Sequence, residues 1–197
     1  MTYQRPISSR QLPASTPSRY LARVKALWFR FLDWFSRRFG IGRTPVPREP
    51  VSVRPIAVVR NGVKVPRPDG WEQVRSTIIV REDLAGALEG IDGYTHIIVV
   101  FAFNKVPESE QRLRVRVGGD DRVPEQGVLA TRSQRRPSPI GVSAVRLQRR
   151  RGNVLWVEGL DAIDGTPVLD IKPYFPNYDA VATAGIPDWA RSMAKEG

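Results

Sequence analysis

The spacing of hydrophobic residues along the chain changes near residue 50. Before that point, from residue 19 to residue 39, apolar side chains recur every three or four positions, which predicts an amphipathic helix. The apolar positions of this segment are Tyr20, Leu21, Val24, Leu27, Trp28, Phe31, Leu32 and Phe35. From residue 51 onwards, short runs rich in Val and Ile return about every 10 to 20 residues, which predicts strands. The pattern therefore predicts a helix followed by a mainly β domain.

Eight such runs follow one another: VRPIAVVR, EQVRSTIIV, THIIVVFAF, RLRVRV, GVLAT, GVSAVRLQ, NVLWVEGL and PVLDIKP. RLRVRV alternates strictly, as a half-buried strand does, and THIIVVFAF is apolar throughout, as expected of a central strand. Arg151-Gly152-Asn153 predicts a tight hairpin, and REDLAGALEG predicts the only helix of this region, a short one. Many short strands with turn-rich connections indicate an antiparallel β-barrel or a compact sandwich.

The same pattern divides the chain into five regions. We predict a disordered basic tail over residues 1–18, the amphipathic helix over 19–39, a linker over 40–50, the β domain over 51–180 and a C-terminal tail over 181–197. A length of 197 residues with 41% hydrophobic composition is enough for one good-sized core.

Charge is concentrated at the N-terminus. The formal net charge is +11, and residues 1–48 carry ten basic residues and one acidic residue. The remaining 21 basic and 19 acidic residues give the rest of the chain a net charge of only +2. The basic character of the whole chain is therefore weak evidence for an enzyme that acts on nucleic acid.

The predicted N-terminal helix allows three interpretations. Its longest uncharged run, ALWF, is far too short to span a bilayer. Aromatic residues on one face and arginines on the other are typical of a helix lying in a membrane interface. A helix that packs on the domain or on a partner has the same pattern, and an arginine-rich, acid-poor segment is also typical of an organellar transit peptide.

The residue inventory excludes several chemistries. The chain has no cysteine, so it has neither disulfides nor a thiolate nucleophile. Its one histidine is His96, so a zinc site built from two or more His or Cys is excluded and no metal is expected. A triad of His96 with Ser133 or Ser143 is disfavoured, because a single histidine at a strand start is more often structural.

Two segments concentrate polar residues in unusual order. In ATRSQRRPSPIG, Pro137 and Pro139 stiffen a loop that carries three arginines, and guanidinium groups on a stiff loop suit an anion or a carboxylate. The simpler interpretation of the same charges is a loop exposed to solvent. In LDAIDGTPVLDIKPYFP, the DGTP stretch predicts a tight turn, followed by Asp170 and Lys172 on one face of a strand. That pair is either part of a site or a structural ion pair.

These segments resemble one family. GVLATRSQRRPSPIG is similar to its GVFATRSPxRPNPIG, LDAIDGTPVLDIKPYFP to its LDxLDGTPVLDIKPYxP, and LEGIDGYTHIIVVFAF to its GLEGFSHIxVLFxFH. The family is the TsaA-like, or TrmO, family of S-adenosylmethionine-dependent tRNA methyltransferases. The resemblance covers about residues 53–176 with the motifs in the same order, and it leaves the first 50 residues outside.

The resemblance implies a small antiparallel β-barrel, usually a homodimer, that binds S-adenosylmethionine and methylates N6 of threonylcarbamoyladenosine in tRNA. The cofactor positions that it implies are Pro66, Arg67, Asn104, Lys105, Arg132, Val142, Ala162, Ile163, Asp164 and Gly165. The substrate or pocket positions that it implies are Arg135, Arg136, Asp170, Lys172 and Tyr174. Transfer from an activated sulfonium needs positioning and exclusion of water and no metal, and no residue is assigned as the general base.

The chain departs from the family at two motifs. The family's PRQ is here Val65-Pro66-Arg67-Pro68, without the glutamine, and its Phe-His is Phe103-Asn104. These departures indicate a divergent branch of the family, which modifies a different RNA or a different substrate altogether. The alternative is a non-catalytic or ligand-sensing nucleotide-binding barrel, held at a membrane by its N-terminal helix. In either case we expect a cytoplasmic protein, peripheral at the inner face of the membrane if the helix binds lipid.

Overall fold

The computed structural model describes residues 27, 28, 30–36, 38, 49–119 and 123–194. The chain divides into two compact units, Met1–Val51 and Ser52–Gly197. In the first unit the described residues between 27 and 38 are helical, inside the range predicted for the amphipathic helix. The predicted tail at 1–18 lies outside the described residues, as does the predicted linker except for its last two positions. None of the helices in the described ranges combines the length and the hydropathy needed to cross a membrane.

The second unit is built on a closed antiparallel barrel of six strands, in the order β1-β2-β7-β6-β3-β8. Two further strands, β4 and β5, form a separate two-stranded sheet. The prediction of a small antiparallel barrel is confirmed. The strands are β1 Ala57–Arg60, β2 Arg75–Val80, β3 His96–Ala102, β4 Arg114–Val115, β5 Gln126–Gly127, β6 Ile140–Arg151, β7 Val154–Glu158 and β8 Pro167–Pro173.

The helical elements of this unit are short. Glu82–Leu88, predicted as a helix, is a 3-10 helix, and Trp71–Gln73, Ile91–Gly93, Glu108–Glu110, Val117–Gly119 and Val128–Ala130 are single 3-10 turns. Two α-helices follow the barrel, Pro176–Asp179 and Asp188–Ala194. The second lies within the predicted C-terminal tail.

Two strand predictions need correction. GVLAT is not a strand, since only Gly127 belongs to β5 and Val128–Ala130 is a 3-10 turn. RLRVRV keeps only Arg114–Val115 as a strand. Both runs lie in the small sheet outside the barrel, where β4 and β5 pair through two residue pairs. Alternation of apolar and polar residues favours a strand, but the strand forms only over the length for which a partner strand pairs with it.

The core fills the barrel interior with alternate residues of each strand. Phe101, Ile78, Ile97 and Leu155 are among its largest side chains and are fully buried. Complete burial of a side chain of this size stabilises the fold by about 1.5–3 kcal/mol. Gly141 on β6 lies against the Phe101 ring, and a Cβ there would be 2.4 Å from two ring carbons. The interior therefore requires glycine where β6 enters the barrel.

Two bulges change the alternation of the barrel strands. One lies between Val100 and Phe101 in the pairing of β3 with β8. The other lies on β6, where Leu147 pairs with Val157 and Arg149 pairs with Trp156, so that Gln148 is the extra residue. A bulge redirects the side chains that follow it, because two residues oppose one on the partner strand. The β6–β7 hairpin then closes at Gly152, which has φ 59°, as predicted for Arg151-Gly152-Asn153.

Candidate functional site

A cavity of about 400 Å³ opens at the end of the barrel where β3 ends and β8 begins. This volume is within the range of small-molecule sites in proteins. The walls come from the β1–β2 connection, the end of β3, the loop at 131–136 and the turn before β8. The lining residues are Pro66, Arg67, Trp71, Phe101, Phe103, Asn104, Lys105, Val106, Glu110, Arg132, Gln134, Asp161, Ala162, Ile163 and Thr166.

Aromatic rings form the apolar part of the cavity. Phe101 and Phe103 pack edge to face with their ring centroids 5.4 Å apart. Trp71 donates a hydrogen bond from Nε1 to the carbonyl of Arg67 at 3.0 Å, and the Arg67 guanidinium lies 5.4 Å from the Trp71 ring centroid. The rings are thus held in place by neighbours. Trp71 and Phe103, which are partly exposed, can stack on a planar heterocycle such as a purine, whereas Phe101 is buried.

Charges of both signs face the same space. Arg67, Lys105 and Arg132 are the cationic groups, and Glu110 and Asp161 are the carboxylates. Asp161 accepts a hydrogen bond from the Ser143 hydroxyl, and Arg132 reaches the carbonyl of Val142 at 3.5 Å. Such a cavity can hold a ligand that has a carboxylate as well as an amine or hydroxyl groups.

The three arginines of ATRSQRRPSPIG have three different environments. Arg132 lines the cavity, whereas Arg135 lies 3.6 Å from the carboxylate of Glu110, itself a lining residue. Arg136 turns back into its own loop and donates to the carbonyl of Thr131 at 2.8 Å. Its Nε is buried, with no hydrogen-bond partner among the described residues. The loop is therefore an organised structure rather than a solvated run of charge.

A second, smaller cavity adjoins the first. It has a volume of about 220 Å³ and shares Phe103, Arg132 and Asp161 with the larger one. Arg136 and Val142 complete its polar and apolar sides. The two cavities together form one cleft along the beginning of β6.

Asp164 joins the two loops that frame the larger cavity. Its Oδ1 accepts from the backbone N–H of Asn61 at 3.0 Å, and its Oδ2 accepts from Lys64 Nζ at 2.7 Å. Arg60 lies 3.7 Å from the same Oδ2. Asn61 also donates to the carbonyl of Ala162 and to the Ser76 hydroxyl, both at 2.9 Å. We call these bonds of Asn61 and Asp164 the Asn61–Asp164 clamp.

The clamp favours the ionised form of Asp164. The hydrogen bond from Lys64, followed by that from the Asn61 backbone, holds the pKa of the Asp164 carboxyl below its usual range. The carboxylate points to the β1–β2 connection rather than into the cavity. Next to it, Gly165 has φ 83° and donates to the carbonyl of Val59 at 2.9 Å, which a residue with a side chain could do only with strain.

The predicted site residues fall into three groups in the structure. Those that line the larger cavity are Pro66, Arg67, Asn104, Lys105, Arg132, Ala162 and Ile163. Those that line only the smaller cavity are Val142 and Arg136. Those that line neither are Asp164, Gly165, Arg135, Asp170, Lys172 and Tyr174.

The last three of these lie along β8 and its exit, away from the cleft. Lys172 pairs with Asp170 at 2.7 Å, and this hydrogen bond raises the pKa of the Lys172 amine. The Tyr174 ring centroid lies 6.3 Å from that of His96, at the opposite end of β3 from Phe101. His96 itself contacts the Thr95 hydroxyl through Nδ1 at 3.0 Å.

Several cavity residues were not singled out in the sequence. The main ones are Trp71, Glu110, Gln134, Asp161 and Thr166. Asp69-Gly70 is a turn signal next to Trp71, and Asp161 precedes the AIDGTP motif by one position. Glu110 has no local signal, because only the tertiary fold brings its 3-10 turn to the cavity.

Comparison with known proteins places the chain among related sequences. The model of the tRNA-methyltransferase O N-terminal domain matches residues 58–180. Over 111 residues the chain is 47% identical to a putative S-adenosylmethionine-dependent methyltransferase, RcsF, of Pseudomonas aeruginosa. The aligned region covers 54% of this chain and 47% of that protein. Over 154 residues it is 35% identical to the tRNA (adenine(37)-N6)-methyltransferase of Escherichia coli, covering 71% of this chain and 62% of that one.

A solved structure shares the fold. The crystal structure of TrmO from P. aeruginosa superimposes with a TM-score of 0.59 at 33% identity, over 73% of this chain and 63% of that chain. The chain thus spans about half to two thirds of the length of these relatives.

The clamp predicts a pH-dependent contribution to stability. Since the pKa of Asp164 is lowered in the folded state, the folded protein binds fewer protons there than the unfolded chain, and this stabilisation is lost as pH falls through the folded pKa. We expect Asp164→Asn to lower the free energy of unfolding at pH 7. The difference from wild type should shrink below about pH 4, where Asp in an unfolded chain is protonated.

Urea unfolding between pH 3 and pH 8 measures this difference. Asp188→Asn is the matched control, because that carboxylate is fully exposed and lies 4.0 Å from Arg191, where an ion pair contributes little. A stability difference for Asp164→Asn that is the same at every pH would show that the ionised carboxylate does not act through the clamp.

Proposed function

The chain belongs to the tRNA-methyltransferase O N-terminal domain family, and from that premise we propose that it is an S-adenosylmethionine-dependent methyltransferase acting on tRNA. The reaction that we propose is methylation of N6 of threonylcarbamoyladenosine. The observation that carries the proposal is the cleft at the end of the barrel, where aromatic rings and charges of both signs line one cavity. The names of the relatives, one a tRNA (adenine(37)-N6)-methyltransferase, support the substrate class.

The residues of the cleft fit the chemical groups of S-adenosylmethionine. We assign Trp71 and Phe103 to the adenine ring, because both are partly exposed at the cavity and have apolar, planar faces. Arg132 and Lys105 suit the carboxylate of the methionine part. Asp161 and Glu110 suit the amine and the ribose hydroxyls. When bound, the cofactor supplies a methyl group already activated on sulfur.

The work of the protein is then to position the acceptor and to exclude water. The clamp joins Asn61 and Lys64 to Ala162 and Asp164 and so connects the segment that leads to Pro66 and Arg67, in one wall, with the turn that forms the other wall. Arg135, beside Glu110 at the rim, is available to a carboxylate or phosphate of the RNA. Preorganisation of this kind can supply a large share of a transfer reaction's acceleration without an acid or base.

The full chain should bind S-adenosylmethionine with micromolar affinity in titration calorimetry. Arg132→Ala should weaken that binding at least tenfold, because a hydrogen bond to a charged group contributes about 1.5–3 kcal/mol. Transfer of a labelled methyl group to tRNA should fall in parallel. Arg191→Ala, on the C-terminal helix, is the control for loss of one arginine. Binding without methyl transfer to any tRNA would favour the ligand-sensing barrel, and no binding at millimolar cofactor would refute the assignment.

We further propose that the chain is a homodimer that uses the outer face of β3, β8 and the first half of β6. Ile140 and Val142 on this face are 42% and 49% exposed, and Val100 lies between Val142 and Asp170 in the strand pairing. Asp170 and Lys172, two of the predicted substrate positions, lie on the same side of β8 and do not line the cleft of their own chain. A second copy would bring them to a cleft.

The oligomer proposal predicts a mass near twice 22.2 kDa in light scattering. Val100→Asp should convert the dimer to monomer, since it buries a second carboxylate beside Asp170, whose partner Lys172 is already paired with it. Ile79→Asp, at a position 38% exposed on β2, is the control that should leave the mass unchanged. A monomeric wild-type chain at micromolar concentration would contradict the proposal.

We also propose that the chain is cytoplasmic and that its N-terminal helix lies on the inner face of the membrane. Leu27, Trp28, Phe31, Leu32 and Phe35 are exposed on the described part of this helix. Their three- and four-residue spacing makes one apolar stripe, and Arg30 and Arg38 supply cations for anionic headgroups.

The membrane proposal predicts that the full chain co-sediments with vesicles containing phosphatidylserine. Trp28→Ser with Phe31→Ser should abolish most of that binding, because the apolar contacts are lost while the charge is kept. Trp71→Ser with Phe103→Ser removes the same number of aromatic side chains from the cleft and should leave lipid binding unchanged. Equal sedimentation of wild type and the helix variant would reject the anchor.

A further inference from the structure

A group of arginines on β6 lies outside the cleft and has no role in the proposed reaction. Arg146, Arg149 and Arg151 belong to the second half of this strand, and we call them, with Trp156 of β7, the β6 strip. None of these four residues lines either cavity of the cleft. All three arginines are exposed.

The bulge at Gln148 places the three arginines on the same face. In regular alternation, Arg149 would point into the barrel with Val145 and Leu147, both of which are buried. Because Gln148 is an extra residue opposite β7, the alternation shifts by one and Arg149 and Arg151 join Arg146 on the outside. The Arg150 side chain points toward the barrel interior instead, and its guanidinium lies 3.6 Å from the Asp92 carboxylate.

The charges of the strip are available to a ligand. None of its three arginines forms an ion pair with another residue in the described part of the chain, whereas the neighbouring Arg75 lies 3.8 Å from Glu158. The Arg149 guanidinium lies 4.2 Å from the Trp156 ring centroid. This stacking orders the guanidinium over the sheet before any ligand arrives and so reduces the entropy lost on binding.

We propose that the β6 strip binds the sugar-phosphate backbone of the RNA substrate, outside the cleft in which the base is modified. Planar guanidinium groups with several donors are well suited to phosphate, and a row of them on a strand follows a polyanion. The strip exposes no aliphatic stripe of the kind that inserts into a bilayer, which favours RNA over lipid. The proposal rests on the tRNA substrate proposed above.

The test compares two triple variants of the full chain that lose the same charge. Arg146→Gln with Arg149→Gln and Arg151→Gln removes the strip, and Arg54→Gln with Arg81→Gln and Arg191→Gln is the control. Binding to an in vitro transcribed tRNA is measured by filter retention from 50 to 300 mM NaCl. Circular dichroism and thermal melting verify that both variants are folded.

We expect the strip variant to bind tRNA roughly 10- to 100-fold more weakly at 100 mM NaCl, with the slope of log affinity against log salt reduced in magnitude by about 2 to 3. The control should change both quantities much less, and affinity for S-adenosylmethionine should stay the same in both. Equal losses in the two variants would mean unspecific attraction of net charge and would overturn the proposal. An unchanged affinity of the strip variant for tRNA would also overturn it, and so would a loss of binding seen only with phosphatidylserine vesicles.

The same measurements separate this inference from the proposed reaction. RNA binding is measured without cofactor or turnover, so the strip can be supported even if no methyl transfer is found. If the chain is active, the strip variant should raise the KM for tRNA at least tenfold and change kcat little. A fall in kcat with an unchanged KM would assign these residues to the chemistry and overturn a role in backbone binding.

Discussion

Closure of the barrel between β1 and β8 is the constraint on which the rest of the molecule depends. The two strands pair at only two positions, Ala57 with Val168 and Val58 with Pro167. Backbone bonds from Val59 to the carbonyl of Thr166 and from Gly165 to that of Val59 extend the seam, and the Asn61–Asp164 clamp continues it. Thr166 of this seam lines the cavity, as does Ala162, whose carbonyl accepts from Asn61, so closing the barrel also positions the turn before β8 at the site.

The sequence predicted the parts of this structure that depend on local pattern. The barrel strands follow from their Val and Ile content, the β6–β7 hairpin follows from Arg151-Gly152-Asn153, and the resembling motifs point to Arg132 and the 162–163 segment, which line one cavity. The GVLAT prediction failed because pairing partners decide whether an apolar run becomes a strand. The position of Glu110 at the cavity depends on contacts distant in sequence, which no local pattern reports, and the direction of the Arg136 side chain depends on the conformation of its own loop.

Arginine has several unrelated uses in this chain. Arg136 donates a hydrogen bond to the carbonyl of Thr131 within its own loop, and Arg132 lines the cleft. Arg149 lies over the Trp156 ring on the outside of the barrel. Neighbouring residues of the same type therefore differ in what they contact and in how strongly water competes for them. A count of basic residues cannot separate these uses, and the fold separates them by the direction of each strand and loop.

The bulge at Gln148 has a consequence for how this protein can change over evolutionary time. Deletion of Gln148 would remove the extra residue and restore regular alternation, and Arg149, Arg150 and Arg151 would keep their partners on β7, with Arg150 still beside Asp92. A further inserted residue would turn the side chains that follow it to the opposite face unless a second bulge absorbed it. The pairing with β7 therefore sets which side chains of the second half of β6 point outward, and a change in the length of this strand is tolerated where a bulge is gained or lost.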